Sequence, residues 1–259
     1  MSFITDIIAN VPELSTLDFF LLCLASFFTS TITAAFGLGG GAMLIIIMVS
    51  FMNPFVIIPI HAVIQMSSNI SRALMLWRHI TFSYMIPFII GTIIGVTIGG
   101  LIIVDLPKYL LQSIIGIFIL YSLYGPIANN VKASKLKFVG LGAFSSFVTM
   151  FVGGTGPIIA PFIRSITNER RSTVATHAAF MTWKHGVKII TFGLLGFSFS
   201  NYVPLIIGMI LFGIIGTWSG KTILVWMPEK VFAKAFNIVL TLLALRLLFE
   251  GLRQIISSI

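Results

Sequence analysis

The chain has 259 residues, of which 58% are hydrophobic and only 9% charged, with a mean hydropathy of +1.08 and a formal net charge of +9. A soluble domain carries roughly 25% charged residues, so this chain cannot clothe a water-facing surface and most of its exterior must face lipid. The positive excess falls in short loops and helix ends, where it sets membrane orientation rather than marking a nucleic-acid partner, and the lone Cys23 excludes a disulfide framework or a thiolate metal cluster.

The opening residues carry Asp6 and Glu13 and no Lys or Arg before the first apolar run. A secretory signal peptide starts with a basic segment, so the first helix is expected to stay in the mature protein. Apolar runs then fall at about 17–36, 41–52, 55–77, 82–104, 109–127, 138–151, 156–166, 172–197, 201–222 and 231–250. A spanning helix needs ~20 mostly apolar residues. The segments flanking GLGGG (Gly37 to Gly41) and GGTG (Gly153 to Gly156) include pieces of about a dozen residues, too short to cross alone.

The two halves repeat in order. Gly41 matches Gly156 at a shift of 115, and His61-Ala62 and Arg72 match His177-Ala178 and Lys188 at 116. Pro87 matches Pro204 at 117, and Pro107 matches Pro228 at 121. The slowly growing shift is what small loop insertions produce.

Basic residues test the orientation. Arg78, Lys132, Lys135, Lys137, Arg164, Arg170, Arg171, Lys221, Lys230 and Lys234 fall on one side if each Gly-rich pair is a hairpin returning to its starting face; Lys108, Arg246 and Arg253 fall on the other. The positive-inside rule then places both termini outside. Each half crosses an odd number of times, so the halves are inverted; broken single helices would instead make them parallel and worsen the charge balance.

The expected fold is an all-α polytopic membrane protein. It comprises two inverted repeats, 1–130 and 131–259, of four to five helical segments each, in one integrated transmembrane domain. Gly-interrupted short helices, re-entrant or broken, meet near the midplane. Such interruptions in corresponding positions point to a transporter's central site; the competing reading is close helix packing.

An unwound glycine segment exposes backbone N–H groups, and the half-helix after it presents its positive dipole end. Gly39, Gly40, Gly41, Gly154, Thr155 and Gly156 are therefore candidate anion contacts. Lys184 lies mid-run in STVATHAAFMTWKHGVKIITFGLLGF, Ser172 to Phe197, where a cation costs a few kcal/mol; it is the principal counter-charge candidate. Lys188 and its mate Arg72 either line the site or snorkel to the rim. His61 and His177, and His185 with its mate Asn69, act either as interhelical hydrogen-bonders or as anion contacts and proton carriers. Gln65, Ser68, Asn69 and Arg72 share one helix face by their spacing, which suggests a wet wall.

Every carboxylate falls in a loop or near a run end, so no cation site or acidic proton relay is expected. HExxH, Walker A, GxSxG and Cys/His metal spacings are absent from the sequence. No enzyme, cofactor or metal is expected.

The FGLGGG run at Phe36–Gly41, the GGTGPIIAP echo at Gly153–Pro161, the SSNISRALMLWRHI run at Ser67–Ile80 and ATHAAFMTWKHGVKIITFGLLGF at Ala175–Phe197 resemble the sulfite exporter TauE/SafE family of bacterial and archaeal transporters. The resemblance covers nearly the whole chain. It departs where members often carry proline after the first GGG, here Ile45 and Ile46, and a Gly-Thr-Ser pattern near Gln65–Ser67.

The resemblance implies a multi-pass protein of the cytoplasmic (inner) membrane. It implies export of small sulfur-containing or organic anions such as sulfite, sulfonates or sulfoacetate. The expected mechanism is secondary transport by alternating access, one repeat rocking against the other. An anion-selective channel and a non-transporting membrane scaffold are the alternatives; the scaffold requires Lys184 to pair with backbone carbonyls in a dry interior. Expected partners are a small anionic substrate and the lipid bilayer, and a homo-oligomer is compatible with the sequence.

Overall fold

The computed structural model describes residues 11–36, 39–103, 106–126, 132–223 and 229–257, side chains of 36, 221–223, 229–233, 235 and 236 aside. Asp6, Gly37, Leu38, Asp105 and Pro228 lie outside the described residues, as do the Lys221 and Lys230 side chains. Among the described residues there are ten α-helices and no strand: α1 (Thr16–Phe36), α2 (Gly40–Val49), α3 (Pro54–Met75), α4 (Met85–Ile103), α5 (Lys108–Tyr124), α6 (Lys135–Val152), α7 (Gly156–Arg164), α8 (Arg170–Leu194), α9 (Val203–Ile223) and α10 (Glu229–Ser257).

Five of these, α1, α3, α4, α6 and the stretch containing α9, are long and apolar enough to cross a bilayer. The 138–151 run extends to the 18 residues of α6 because Ser134 caps it, accepting from Lys137 N at 3.3 Å. Asn53 caps α3 in the same way, accepting from Phe55 N at 3.2 Å ahead of Pro54 at the first turn. At the start of α1, Ser15 and Asp18 bond reciprocally, backbone N–H to side chain, at 3.1 and 3.2 Å.

The direction of each helix follows from its neighbours. Asn53, at the α2–α3 corner, donates its N–H to Glu13 Oε2 at 3.1 Å, so α2 returns to the face where α1 began. Phe162 near the end of α7 meets Phe138 in the first turn of α6, ring centroids 6.1 Å apart, so α7 likewise returns to its own starting face. With 10 and 9 residues, α2 and α7 are each only about 15 Å long at ~1.5 Å per residue. Both Gly-rich pairs are thus a long helix followed by a re-entrant half-helix.

Glycines fix the closest packing. A Cβ on Gly91 would run into Val139 O, and one on Gly142 into Phe88 O; Gly99 sits against Met150. Hence α4 and α6 run parallel with backbones in contact. Gly208 abuts Phe19 and Cys23, Gly213 abuts Ser26 and Ser30, and Gly220 abuts Thr31, so α1 and α9 are parallel as well. Because α3 leaves the Glu13 face and α4 returns to it, α6 starts on the face opposite Glu13.

The main pairings are α1 with α9, α4 with α6, α3 with α8 and α5 with α10. Exchanging α1–α5 for α6–α10 in order maps this set onto itself. Tracing the chain leaves Arg78, Lys132, Lys135, Lys137, Arg164, Arg170, Arg171 and Lys234 on one face, called here the Arg170 face. Lys108, Arg246 and Arg253 end on the Glu13 face. Arg246 pairs with Glu250 at 2.8 Å, the one salt bridge among the described residues.

The α4–α6 contact leaves no room at Gly91, whereas a Cβ on Gly140 of the same bundle meets nothing within 4 Å. Gly91→Leu is expected to cost about 1–3 kcal/mol by overpacking and to lower the thermal unfolding midpoint in detergent. Gly140→Leu, facing lipid, should leave it unchanged.

Candidate functional site

The two half-helix tips meet. Gly39 (φ 98°) and Gly153 (φ 77°) make the turns that let the chain double back, conformations that side chains resist. A Cβ on Gly154 would lie 3.7 Å from the Gly41 carbonyl carbon and 3.8 Å from Ala42 N. Gly40 packs instead against α1, where a Cβ would strike Thr29 O. Thr155 donates to Ser145 O at 3.0 Å. Ser145 is the eleventh residue of α6, so the second tip sits about 15 Å from the helix start, half the ~30 Å of a bilayer core.

Neither tip is capped by a side chain, so the first N–H groups of α2 remain unbonded within the helix; at the α7 tip only that of Gly156 does, because Pro157 has no N–H and Ile158 N donates to Thr155 O at 3.1 Å. Each tip carbonyl faces a histidine from its own half. His61 Nε2 lies 2.9 Å from Gly41 O, and His177 Nε2 3.4 Å from Gly156 O. The repeat matches at 41/156 and 61/177 therefore correspond to one contact made twice. Since a carbonyl only accepts, His61 Nε2 carries the proton and Nδ1 is bare in the neutral ring. His61 Nδ1 and His185 Nδ1 are both buried without a partner, in rings 6.1 Å apart.

A cavity of about 40 Å³ lies between the tips. Its backbone walls are Gly39, Gly41, Gly154 and Gly156; its side-chain walls include His61, Gln65, Asn69, His177 and His185. Thr33, Ala42, Met181 and Pro157 complete the lining and were not singled out from sequence. About 10–15 Å³ of such space admits one water, so this hollow has room for a guest about the size of a few water molecules.

Lys184 and Lys188 do not line it. Both are fully buried, at 0% exposure. Lys184 Nζ donates to Ser145 Oγ at 3.0 Å and Thr155 Oγ1 at 2.5 Å, with the Phe88 ring 5.9 Å away. Lys188 Nζ donates to Thr149 O at 2.9 Å and Gly153 O at 3.4 Å. Snorkelling is thus replaced by a clasp on the α6–α7 break, where carbonyls freed from the helix need donors. Ser145 and Thr149, its unforeseen partners, sit one turn apart on α6, a polar i, i+4 pair within an apolar run that spacing alone reveals.

Arg72 is 6% exposed. Its Nη2 donates to Asn69 Oδ1 at 2.7 Å, and Asn69 Nδ2 donates to Gln65 O at 2.7 Å. Its Nε and Nη1 are buried with no partner. Ser68 is buried as well, so the expected polar stripe faces the protein interior. No group of metal-ligating side chains occurs among the described residues.

A family model for the sulfite exporter TauE/SafE matches residues 22–247 of the chain. The chain belongs to this family. TauE/SafE proteins are membrane transporters that export sulfite and related sulfur anions, and the ten-helix bundle with its two hairpins lies almost wholly within the matched region. Comparison with curated proteins and with solved structures returned no similar chain.

The TauE/SafE break at Gly153 is held by conformation and by space, since a Cβ there would meet Ile45 Cδ1 as well as sit at positive φ. Gly153→Ala is expected to lower the thermal midpoint by the left-handed cost, about 1–2 kcal/mol, plus the clash. Ile45→Val removes only Cδ1, so Gly153→Ala/Ile45→Val should recover the steric part and leave the conformational part. A double-mutant cycle of unfolding midpoints measures that coupling.

Proposed function

We propose that this TauE/SafE protein is a secondary transporter that carries a compact sulfur oxyanion, sulfite first, through the cavity between the two half-helix tips. One observation carries the reading. Arg72 is a permanent cation, buried in the last turn of α3 with Nε and Nη1 unpartnered and no carboxylate partner among the described residues; it reaches the hollow through Asn69, which lines it. A buried charge without compensation costs several kcal/mol; a visiting anion supplies the compensation.

In this reading the substrate accepts from the free N–H groups at the start of α2 and of Gly156 and from Gln65, Asn69 and His185, since the His61 and His177 protons go to the tip carbonyls. Arg72 holds Asn69 in place and offers charge to the anion, while Lys184 and Lys188 add positive potential from behind Thr155 and Gly153. The size of the hollow favours sulfite over sulfoacetate or longer sulfonates, whose tails would have to extend beyond it.

We further read residues 1–130 and 131–259 as inverted repeats, supported by the antiparallel entry of α1 and α6 and by the exchange-invariant pairings. The Arg170 face is then cytoplasmic by its basic residues, and the membrane is the inner membrane of a prokaryote. Alternating access would move α1–α2–α9 against α4–α6–α7, because glycine contacts lock α1 to α9 and α4 to α6 across the halves, with the half-helix tips as the seam between the two bodies.

A structural role for the lysines has its own support, since Lys184 and Lys188 are satisfied by hydroxyls and carbonyls as a scaffold would require. Transport separates the readings. In proteoliposomes, Arg72→Gln should reduce the initial rate of sulfite uptake at least tenfold, with Arg72→Lys intermediate and both variants monodisperse. Unlabelled sulfite on the far side should accelerate uptake by the wild type; its absence indicates a channel. Full activity in Arg72→Gln removes Arg72 from the site.

A further inference from the structure

Two larger cavities lie on one side of the tips. One, of about 260 Å³, is walled by Ser122 on α5 and Asn237 on α10 and reaches Gly39, Ala42 and Pro157, which also line the central hollow. The other, of about 290 Å³, shares Ser122 and Pro157 with it and continues between α5, α6 and α7. Ser122 is the third residue from the end of α5, and Asn237 the ninth residue of α10. Those helix ends are on the Arg170 face, so both cavities lie between the hollow and that face.

The opposite side differs. Towards the Glu13 face, Ile45, Ile46, Met48, Ile57 and Ile58 are buried in one apolar cluster, and none of the three cavities is lined by them. Ser122 Oγ is buried with no hydrogen-bond partner although it borders both larger cavities. A buried hydroxyl without a partner costs free energy, and here it points to a polar guest on the way through.

The geometry points to a vestibule for the anion between α5, α10 and the α7 tip, with Ser122 and Asn237 as transient ligands between the central hollow and the Arg170 face. This inference rests on the transporter reading. It adds to it two residues, a route and a state: the conformation described is accessible from the Arg170 face and shut on the Glu13 face.

Because Cys23 is the sole cysteine, a cysteine-free background needs only Cys23→Ala. In that background Ser122→Cys and Asn237→Cys are treated with membrane-impermeant methanethiosulfonates, one bearing a sulfonate and one a trimethylammonium group, in membrane vesicles of both orientations. Lys132→Cys reports the Arg170 face. Both test thiols should react only from the Lys132 side. Relative to a small thiol in solution, the sulfonate reagent should gain at least tenfold over the cationic one.

Reaction from the Glu13 face, a preference for the cationic reagent, or silence at both positions in a protein that still transports sulfite overturns the vestibule. Labelling as expected in a protein that moves no sulfur anion leaves the vestibule standing and removes the transporter reading. Two positions on separate helices guard against one variant failing to fold.

Discussion

Everything in this bundle depends on satisfying backbone polar groups where a helix has been broken in the middle of an apolar layer. Lipid offers no hydrogen bonds, so an unwound segment survives only if protein groups or a guest replace water. The chain meets this twice. At the second break the answer is internal: Lys188 on two carbonyls, Lys184 on Thr155 and Ser145, and Thr149 Oγ1 on Gly153 O. At the first break a histidine takes the Gly41 carbonyl, and the basic residue that corresponds to Lys188 is Arg72, left with unused donors. The same scaffold position thus serves as a rivet in one half and as an open hand in the other.

Much of the architecture is legible in the residues. The apolar runs lead to a polytopic helical bundle, and the interrupted short segments to half-helices too short to cross, as α2 and α7 are; the ordered matches and the distribution of Lys and Arg underlie the inverted-repeat proposal. Glycine density at 39–41 and 153–156 marks the turns because positive φ and backbone approach both demand it. The paired His61/Gly41 and His177/Gly156 contacts were visible as matched positions, although not as contacts.

The roles of the cations were not legible. A lysine amid apolar residues announces a need for acceptors, and spacing says nothing about where they come from. Lys184 finds Ser145, 39 positions earlier in the chain, and only the parallel packing of α4 on α6 and the return of α7 bring that hydroxyl within reach. Arg72 stood equally for the site and for the membrane rim because it lies near a helix end; packing of α8 antiparallel to α3 leaves it buried. Ser122 and Asn237 are ordinary residues near helix termini until the cavity between them is seen.

The pairing of α1 with α9 carries a consequence for biogenesis. Ser26 and Thr31 of α1 bond the carbonyls of Met209 and Gly216, 183 and 185 positions downstream. During synthesis α1 therefore enters the bilayer long before its partner exists, with hydroxyls and a small-residue groove turned towards lipid or towards an insertion chaperone. Neither half can close its own surface, and the newborn chain stays unfinished until α9 leaves the ribosome.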